Sequence, residues 1–227
     1  MIGIIGALSI ETDELISKLT MKETETISGM DFVHGFIYDQ EVVIARCGIG
    51  KVFAGICAQT MILRYKPDII INTGIAGGLD SNMDIYDFVI ADSLVQHDMD
   101  TTGIGDPLGM ISGLGIIDIP CSKFLVEEFS KCAESLGIPY HIGKIASGDQ
   151  FVSSKEKIEY IVNNFGAVAC EMEGAAIAQV CYANSVDFIV IRCLSDKADE
   201  GSSEDYFTFS KKAADRSSKL VLEYLKG

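Results

Sequence analysis

Four acidic residues follow predicted strands, and they are the first candidates for chemistry in this sequence. Glu11 comes after an apolar strand at the start of the chain, Glu171 and Glu173 come after a short strand, and Asp196 follows Ser195 at the end of the most apolar strand. A single acid at such a position is explained by the preference of helix N-termini for negative charge. Acids at three separate strand ends, beside glycine-rich segments, instead indicate acid–base chemistry on an uncharged small molecule, with no metal required. Because Glu171 and Glu173 are two positions apart, we expect at most one of them to face a site.

Three glycine-rich segments lie near these acids, at residues 48–50, 73–78 and 147–151. Small residues let a backbone approach a ligand closely and leave N–H donors available. In open α/β sheets the ligand crevice lies outside the carboxyl ends of the strands, where all three segments are predicted to fall as turns. For the segment 73–78, a tight turn with a purely structural role is the alternative.

The first of these segments does not fit the two common nucleotide-binding motifs. A dinucleotide-binding fingerprint that starts at Gly48 needs Gly or Ala where the chain has Phe53, and its ribose-binding acid would be Asp68, which lies at the beginning of a strand rather than at its end. A nucleoside-triphosphate loop fails because Ala45 and Val52 occupy its Gly and Ser/Thr positions.

Other catalytic and structural motifs are absent from the sequence. It has no G-x-S-x-G pattern, and its three histidines, His34, His97 and His141, are scattered, so serine-hydrolase and metal-hydrolase interpretations lack support. The seven cysteines are odd in number and form no C-x-x-C pair, which argues against disulfides and zinc sites. With no recognisable secretion signal or membrane span, we expect a cytoplasmic protein whose cysteines are mostly buried.

The elements that must position these residues alternate along the chain. Short apolar runs predict strands at 2–5, 42–45, 68–71, 88–91 and 188–192, and helical spacing predicts helices at 11–19, 52–65, 123–136, 174–183 and 206–225. Residues 21–38 alternate like an antiparallel ribbon. The pattern predicts one α/β domain over residues 1–227, a three-layer sandwich with a mixed, mostly parallel twisted sheet flanked by helices.

One segment, residues 98–114, has no clear period and holds four glycines and a proline. Loops of this length in compact domains are usually functional or disordered, so we interpret it as a loop at the edge of a substrate site.

Composition narrows the partners further. The chain has 227 residues, with 18 Lys and Arg against 33 Asp and Glu, for a formal charge of −15. This charge repels phosphate backbones and anionic lipids, and no run of basic residues offsets it, so we expect no nucleic-acid or membrane partner. It does not oppose a neutral or cationic small molecule.

Six segments together resemble the 5′-methylthioadenosine/S-adenosylhomocysteine nucleosidase family. They are MIGIIGALSIE (1–11), GIGKV (48–52), INTGIAGGLD (71–80), SGDQFVS (147–153), EMEGAAIAQ (171–179) and IRCLSD (191–196). The resemblance implies a purine-nucleoside-phosphorylase-like fold, a homodimer, no cofactor, and a place in methionine salvage and biosynthesis. It also implies irreversible hydrolysis of the N-glycosidic bond of an adenosine thioether, which releases adenine and methylthioribose or ribosylhomocysteine.

The resemblance also implies a role for each matched residue on the two sides of the breaking bond. Asp196, held by Ser195, would be the general acid that protonates adenine N7, and Glu11 would position and deprotonate the attacking water with help from Arg192. Neutral adenine leaves slowly unless N7 is protonated, so the acid must keep its proton near neutral pH. The base acts from the other side, as in inverting glycosidases.

The remaining matched residues would hold the substrate. Met172 and Glu173 would grip the ribose, and the Glu173 carboxylate would also stabilise the developing cation. Phe151 would stack on adenine while the Val152 backbone reads its edge. The rest of the implied binding set is Ile75, Ala76, Gly77, Tyr206 and Phe207.

The sequence departs from the family pattern around the ribose and the 5′ substituent. Ile75 stands where many relatives have a small hydroxyl residue, so a hydroxyl contact near the water or ribose is absent. Tyr206 or Phe207 aligns loosely with the aromatic residue that covers the 5′-alkylthio group. The loop 98–114, which in this family contributes 5′-side contacts across the dimer, has no close match.

Two alternatives remain open from sequence. A nucleoside phosphorylase of the same fold would need basic residues for phosphate, whereas Glu11 sits where phosphate would approach. A non-catalytic adenosine-binding protein is disfavoured by the joint presence of Glu11, Glu173 and Asp196, and activity discriminates it from an enzyme.

Overall fold

Strands and helices alternate along most of the chain in the computed structural model, which describes residues 1–199 and 201–227. The described residues form the strands β1 (Ile2–Gly6), β2 (Thr20–Ile27), β3 (Met30–Ile37), β4 (Gln40–Arg46), β5 (Ile69–Gly78), β6 (Phe88–Gln96), β7 (Ile119–Pro120), β8 (Tyr140–Ser147), β9 (Ala169–Glu171) and β10 (Asp187–Asp196). The helices are α1 (Ser9–Lys18), α2 (Lys51–Tyr65), α3 (Lys123–Ser135), α4 (Lys155–Phe165), α5 (Gly174–Asn184) and α6 (Ser202–Lys226). The predicted α/β sandwich is confirmed.

The strands form one mixed sheet that closes on itself at one end. Strand β1 pairs in parallel with β4 and β5, and β5 pairs in parallel with β10. The strands β5, β10, β6, β8 and β9 then pair in a closed ring. On the other side, β4, β3 and β2 continue the sheet as the antiparallel ribbon predicted for residues 21–38.

The predicted turn at residues 73–78 is wrong, because strand β5 runs through to Gly78. A Cβ at Gly77 would lie 2.8 Å from Asp196 Oδ1, and one at Gly78 would lie 3.0 Å from Leu194 Cδ1. These glycines therefore permit the close approach of β10 rather than a reversal of the chain. Gly77 and Gly78 also pair with β9 on the other side.

Helix α4 is not among the helices predicted from the sequence. Its apolar residues Ile158, Ile161 and Phe165 are spaced three and four positions apart, and Ser154 Oγ accepts the N–H of Lys157 at its start. Four of its first five residues are charged, which obscures the apolar spacing in the sequence. No described helix combines the length and apolar character that crossing a bilayer requires.

Candidate active site

The ends of five strands surround a cavity of about 450 Å³. Its wall includes residues that follow β1 and β8, the last part of β5, the end of β9 and the end of β10, while the first turns of α6 close one side. This is the edge of the sheet where the sequence analysis placed the acids and glycine-rich segments.

The cavity brings together all of the sequence-predicted site residues except Arg192. The predicted residues on its wall are Glu11, Ile75, Ala76, Gly77, Phe151, Val152, Met172, Glu173, Ser195, Asp196, Tyr206 and Phe207. The sequence analysis assigned no role in the site to seven further wall residues, namely Ala7, Leu8, Ile49, Gln150, Cys170, Glu171 and Ser203. Three of them, Gln150, Cys170 and Glu171, lie within two positions of a predicted residue, so extending those motifs by their neighbours would have found them.

Glu11 is held by three backbone N–H groups. Its Oε2 accepts from Ala7 and Leu8 at 2.8 Å each, and its Oε1 accepts from Ile75 at 3.0 Å. Burial raises the pKa of this carboxyl, while the charge of Arg192 and the N–H donors act in the opposite direction. The carboxylate is therefore fixed in orientation and retains a proton to a higher pH than an exposed glutamate.

Asp196 lies across the cavity at the end of β10. Its Oδ1 accepts the N–H of Ala198 at 2.9 Å, and its Oδ2 accepts from Ser195 Oγ at 2.9 Å. Burial raises the pKa of Asp196, and the hydrogen bonds to its charged form reduce that rise. The group combines a fixed position with an increased tendency to carry a proton.

Glu171 and Glu173 are both on the cavity wall, but the Glu171 carboxylate is taken up by Arg192, Ser147 Oγ and the N–H groups of Glu173 and Gly174. Chain direction changes between them, because β9 ends at Glu171 and Glu173 is the N-cap residue of α5. Glu173 Oε1 accepts the N–H of Gly50 at 2.8 Å. Burial and then the charge of Glu171 raise the pKa of Glu173 to about 8.

Arg192 lies behind the wall rather than on it. Its guanidinium is 2% exposed and forms an ion pair with Glu171, which also accepts from Ser147 Oγ. It further donates to Asn72 Oδ1 at 2.6 Å and to the Asn72 carbonyl. Glu171 and Arg192 thus neutralise each other. The charge of Arg192 also interacts electrostatically with the carboxyls of Glu11 and Glu173.

Aromatic side chains form the mouth of the cavity. The rings of Phe151 and Tyr206 meet edge to face with centroids 5.8 Å apart, and Tyr206 and Phe207 do the same at 5.6 Å. Phe207 is 82% exposed. These rings give the entrance an apolar surface suited to a flat ring or an alkyl chain.

The fold and cavity place the chain among the α/β proteins of the phosphorylase superfamily, whose family model matches residues 1–226. A 5′-methylthioadenosine/S-adenosylhomocysteine nucleosidase of Shewanella loihica is 41% identical over 99% of this chain and 98% of its own length. The chain belongs to that nucleosidase family.

Solved structures agree with this assignment. The Neisseria meningitidis 5′-methylthioadenosine/S-adenosylhomocysteine nucleosidase in complex with methylthio-immucillin-A superposes with a TM-score of 0.96, at 33% identity, over 99% of this chain and 98% of that one. A futalosine hydrolase of Helicobacter pylori superposes with a TM-score of 0.94, at 36% identity, over 99% of this chain and 97% of that one.

The position of Glu11 yields a first prediction. A Cβ at residue 74 would overlap Glu11 Oε1, so Gly74→Ala must displace this carboxylate from its N–H donors. We expect turnover of a nucleoside substrate to fall at least ~10-fold, because a carboxylate displaced within the cavity no longer meets the substrate in the same geometry. Steady-state kinetics on protein of verified folding measures this.

The control for that substitution is Gly137→Ala. Nothing lies within 4 Å of a Cβ at Gly137, but its φ of +62° makes alanine strained there, at a cost of about 1 kcal/mol. The control variant is therefore destabilised by backbone strain, and the cavity is unchanged. Equal turnover in both variants would contradict the role given to the Glu11 position.

The pKa of Glu173 yields a prediction about stability. Between its ordinary pKa of 4.5 and the value of about 8 in the folded protein, the native state holds a proton that the unfolded chain has released. The free energy of unfolding contributed by this group therefore falls as pH rises through that range. Glu173→Gln mimics the protonated form, so we expect the Tm of the variant minus that of the wild type to be larger at pH 8 than at pH 5. An identical Tm difference at both pH values would contradict it.

Proposed function

We propose that the protein hydrolyses the N-glycosidic bond of 5′-methylthioadenosine and S-adenosylhomocysteine, and releases adenine together with methylthioribose or ribosylhomocysteine. The observation that carries the proposal is the placement of Glu11, Glu173 and Asp196, each with a raised pKa, around one cavity with an aromatic mouth. The relationship to nucleosidases of these two substrates supports the choice of bond and leaving group.

Asp196 is the general acid of this proposal. Burial raises the pKa of Asp196, which favours the protonated form that can protonate adenine N7 as the bond breaks. Ser195 Oγ and the Ala198 N–H fix both carboxyl oxygens, which supports a single direction of proton delivery.

Glu11 orients and deprotonates the attacking water. Three N–H groups hold the carboxylate without filling all of its acceptor positions, so a lone pair remains for water. Arg192 acts in this proposal through its charge and through Glu171 rather than by touching the water, because its donors face Asn72 and Glu171.

Glu173 binds the ribose hydroxyls, with Met172 beside it. One Glu173 oxygen is held by Gly50, and the other is free to accept from a hydroxyl. The positive charge that develops at the reacting carbon favours the ionised form of Glu173, and that carboxylate in turn stabilises the charge. The buried side chain of Ile75 lies on the same wall and offers no hydroxyl there.

The base and the 5′ substituent occupy the apolar parts of the wall. Phe151 stacks on adenine and the Val152 backbone contacts its edge, while Tyr206 and Phe207 cover the 5′-alkylthio group. Edge-to-face contacts hold these rings in one cluster, which supports an aromatic enclosure for the substrate.

Water rather than phosphate is the nucleophile. Among the described residues that line the cavity there is no Lys, Arg or His. Phosphate binding normally uses such donors, and the buried carboxylates would repel an anion. The phosphorylase alternative therefore lacks a phosphate site.

A homodimer is part of the proposal. Val52, Ile56 and Leu63 lie along one face of α2, and Val52 and Leu63 are 72% and 69% exposed. An exposed apolar stripe of this kind marks a protein interface. The loop 98–114, which does not line the cavity of its own chain, would then reach the partner's 5′ subsite.

A cytoplasmic location fits the seven free cysteines, six of them buried. A place in methionine salvage follows from the proposed substrates.

The activity is tested by adenine release in phosphate-free buffer. We expect turnover of 5′-methylthioadenosine and S-adenosylhomocysteine without phosphate. Turnover that appears only when phosphate is added would indicate a phosphorylase, and no turnover would indicate a binding protein. Comparing kcat/KM for both substrates with 5′-deoxyadenosine and 6-amino-6-deoxyfutalosine defines the tolerated 5′ substituents.

The acid is tested by Asp196→Asn. The amide cannot deliver the proton, so we expect kcat to fall by the ~10²–10⁴-fold that general acid catalysis contributes. Binding of adenine, measured by calorimetry, shows that the variant retains a folded site. A kcat near that of the wild type would remove Asp196 from this role.

The dimer is tested by the mass in solution. Sedimentation equilibrium should give twice the 24.5 kDa of one chain, and Leu63→Glu should lower the mass toward that of one chain by placing a charge in the interface. A wild-type protein that sediments as a single chain would contradict this part of the proposal.

A further inference from the structure

The N-terminus of α2 connects two separate parts of the cavity wall. The N–H of Gly50 donates to Glu173 Oε1 at 2.8 Å, and the N–H of Lys51 donates to Asp149 Oδ1 at 2.8 Å. Gly50 is the N-cap residue and supplies no side chain for capping. Two acids from distant loops therefore cap this helix in place of a local residue.

The Lys51 side chain makes a second connection to the loop that contains Asp149. Its Nζ donates to Asp98 Oδ1 at 2.6 Å and to Gln96 Oε1 at 2.9 Å, and Asp98 Oδ2 accepts the N–H of Asp149 at 2.9 Å. The Lys51 and Asp98 side chains are only 18% and 19% exposed. Lys51 and Asp149 are thus joined twice, once directly and once through Asp98.

A lysine in the first turn of a helix opposes the helix dipole. Helix α2 has no acid in that turn to offset it. The position of Lys51 is accounted for by its ion pair with Asp98, which lies beyond strand β6. The lysine therefore connects elements rather than stabilising its own helix.

The loop held by these contacts carries residues of the proposed adenine subsite. Asp149 directly precedes Gln150 and Phe151, both on the cavity wall. The imidazole of His97 packs against the same loop, since a Cβ at Gly148 would overlap it. The loop is fixed from two sides, by His97 and by the Lys51–Asp98 ion pair.

We propose that Lys51, Asp98 and Asp149 are positioning residues. They fix the Glu173 carboxylate at a set position relative to residues 149–151, the loop that carries Phe151. The inference rests on the proposed function, in which Glu173 binds the ribose hydroxyls and Phe151 stacks on adenine. None of the three residues lines the cavity. They act through the Gly50 N–H on one side and through the backbone of residues 149–151 on the other.

The substrate used in the test separates positioning from general stability. If the three residues aim Glu173, losing them weakens recognition of the ribose hydroxyls more than recognition of a sugar without them. The assay therefore compares 5′-methylthioadenosine with its 2′-deoxy and 3′-deoxy analogues. The readout is the ratio of kcat/KM for the ribonucleoside to that for the analogue that the wild type uses less well.

We expect Lys51→Met and Asp149→Ala each to lower kcat/KM for 5′-methylthioadenosine about 10-fold or more, the scale of a lost hydrogen bond to a charged group. The deoxy analogue should lose less, so the discrimination ratio should fall. Lys51→Arg retains the charge and should recover part of both values. Should Lys51→Met fail to fold, Asp98→Asn, which keeps an oxygen for the Asp149 N–H, should show the same change to a smaller extent.

The matched control is Asp118→Ala, which removes a 2.7 Å ion pair with Lys144 away from the cavity. It should change neither kcat/KM nor the ratio. An unchanged ratio in folded Lys51→Met and Asp149→Ala, even with a lower kcat/KM for both substrates, would overturn the inference. Absence of adenine release by the wild type would instead overturn the proposed function, so the two failures are distinguishable.

Discussion

Burial of carboxylates is the constraint on which the site depends. Glu11, Glu171, Glu173 and Asp196 are withdrawn from water around one cavity, and Arg192 is the buried cation close enough to act on them. Placing a charge in such surroundings is costly unless hydrogen bonds or an opposite charge offset it. Arg192 is paired with Glu171, so the other three carboxyls depend on hydrogen-bond donors and on protonation, and the pKa of each is raised. Carboxyls whose pKa values are shifted together in one cavity are typical of acid–base sites.

The fold meets this constraint with backbone groups and close packing. The chain leaving β1 and the end of β5 supply N–H donors to Glu11, and the N-terminus of α2 supplies one to Glu173. Such donors keep their positions because the sheet fixes the backbone that carries them. Gly74 and Gly77 leave the space that the carboxyls of Glu11 and Asp196 occupy. These two glycines of β5 thus allow carboxyls to pack against the strand from both sides.

The sequence predicted the alternation of strands and helices, the mixed sheet and the residues that meet at the cavity, because apolar periodicity and motif spacing are local properties. It failed where packing between distant segments decides the outcome. The segment 73–78 reads as a turn by composition, yet pairing with β10 keeps it extended. Arg192 was expected at the water, but Glu171 and Asn72 hold it behind the wall. The links among Lys51, Asp98 and Asp149 join residues up to 98 positions apart, which no local pattern reports.

The central claim is that burial raises the pKa of the site carboxyls, and their direct titration tests it. Carbon-13 NMR of the side-chain carboxyls, with signals assigned by single Asn or Gln variants, gives each pKa in the folded protein. The account predicts that Asp196 titrates above 3.8, Glu11 above 4.5 and Glu173 near 8. Titration of all three at the values of exposed side chains would contradict it.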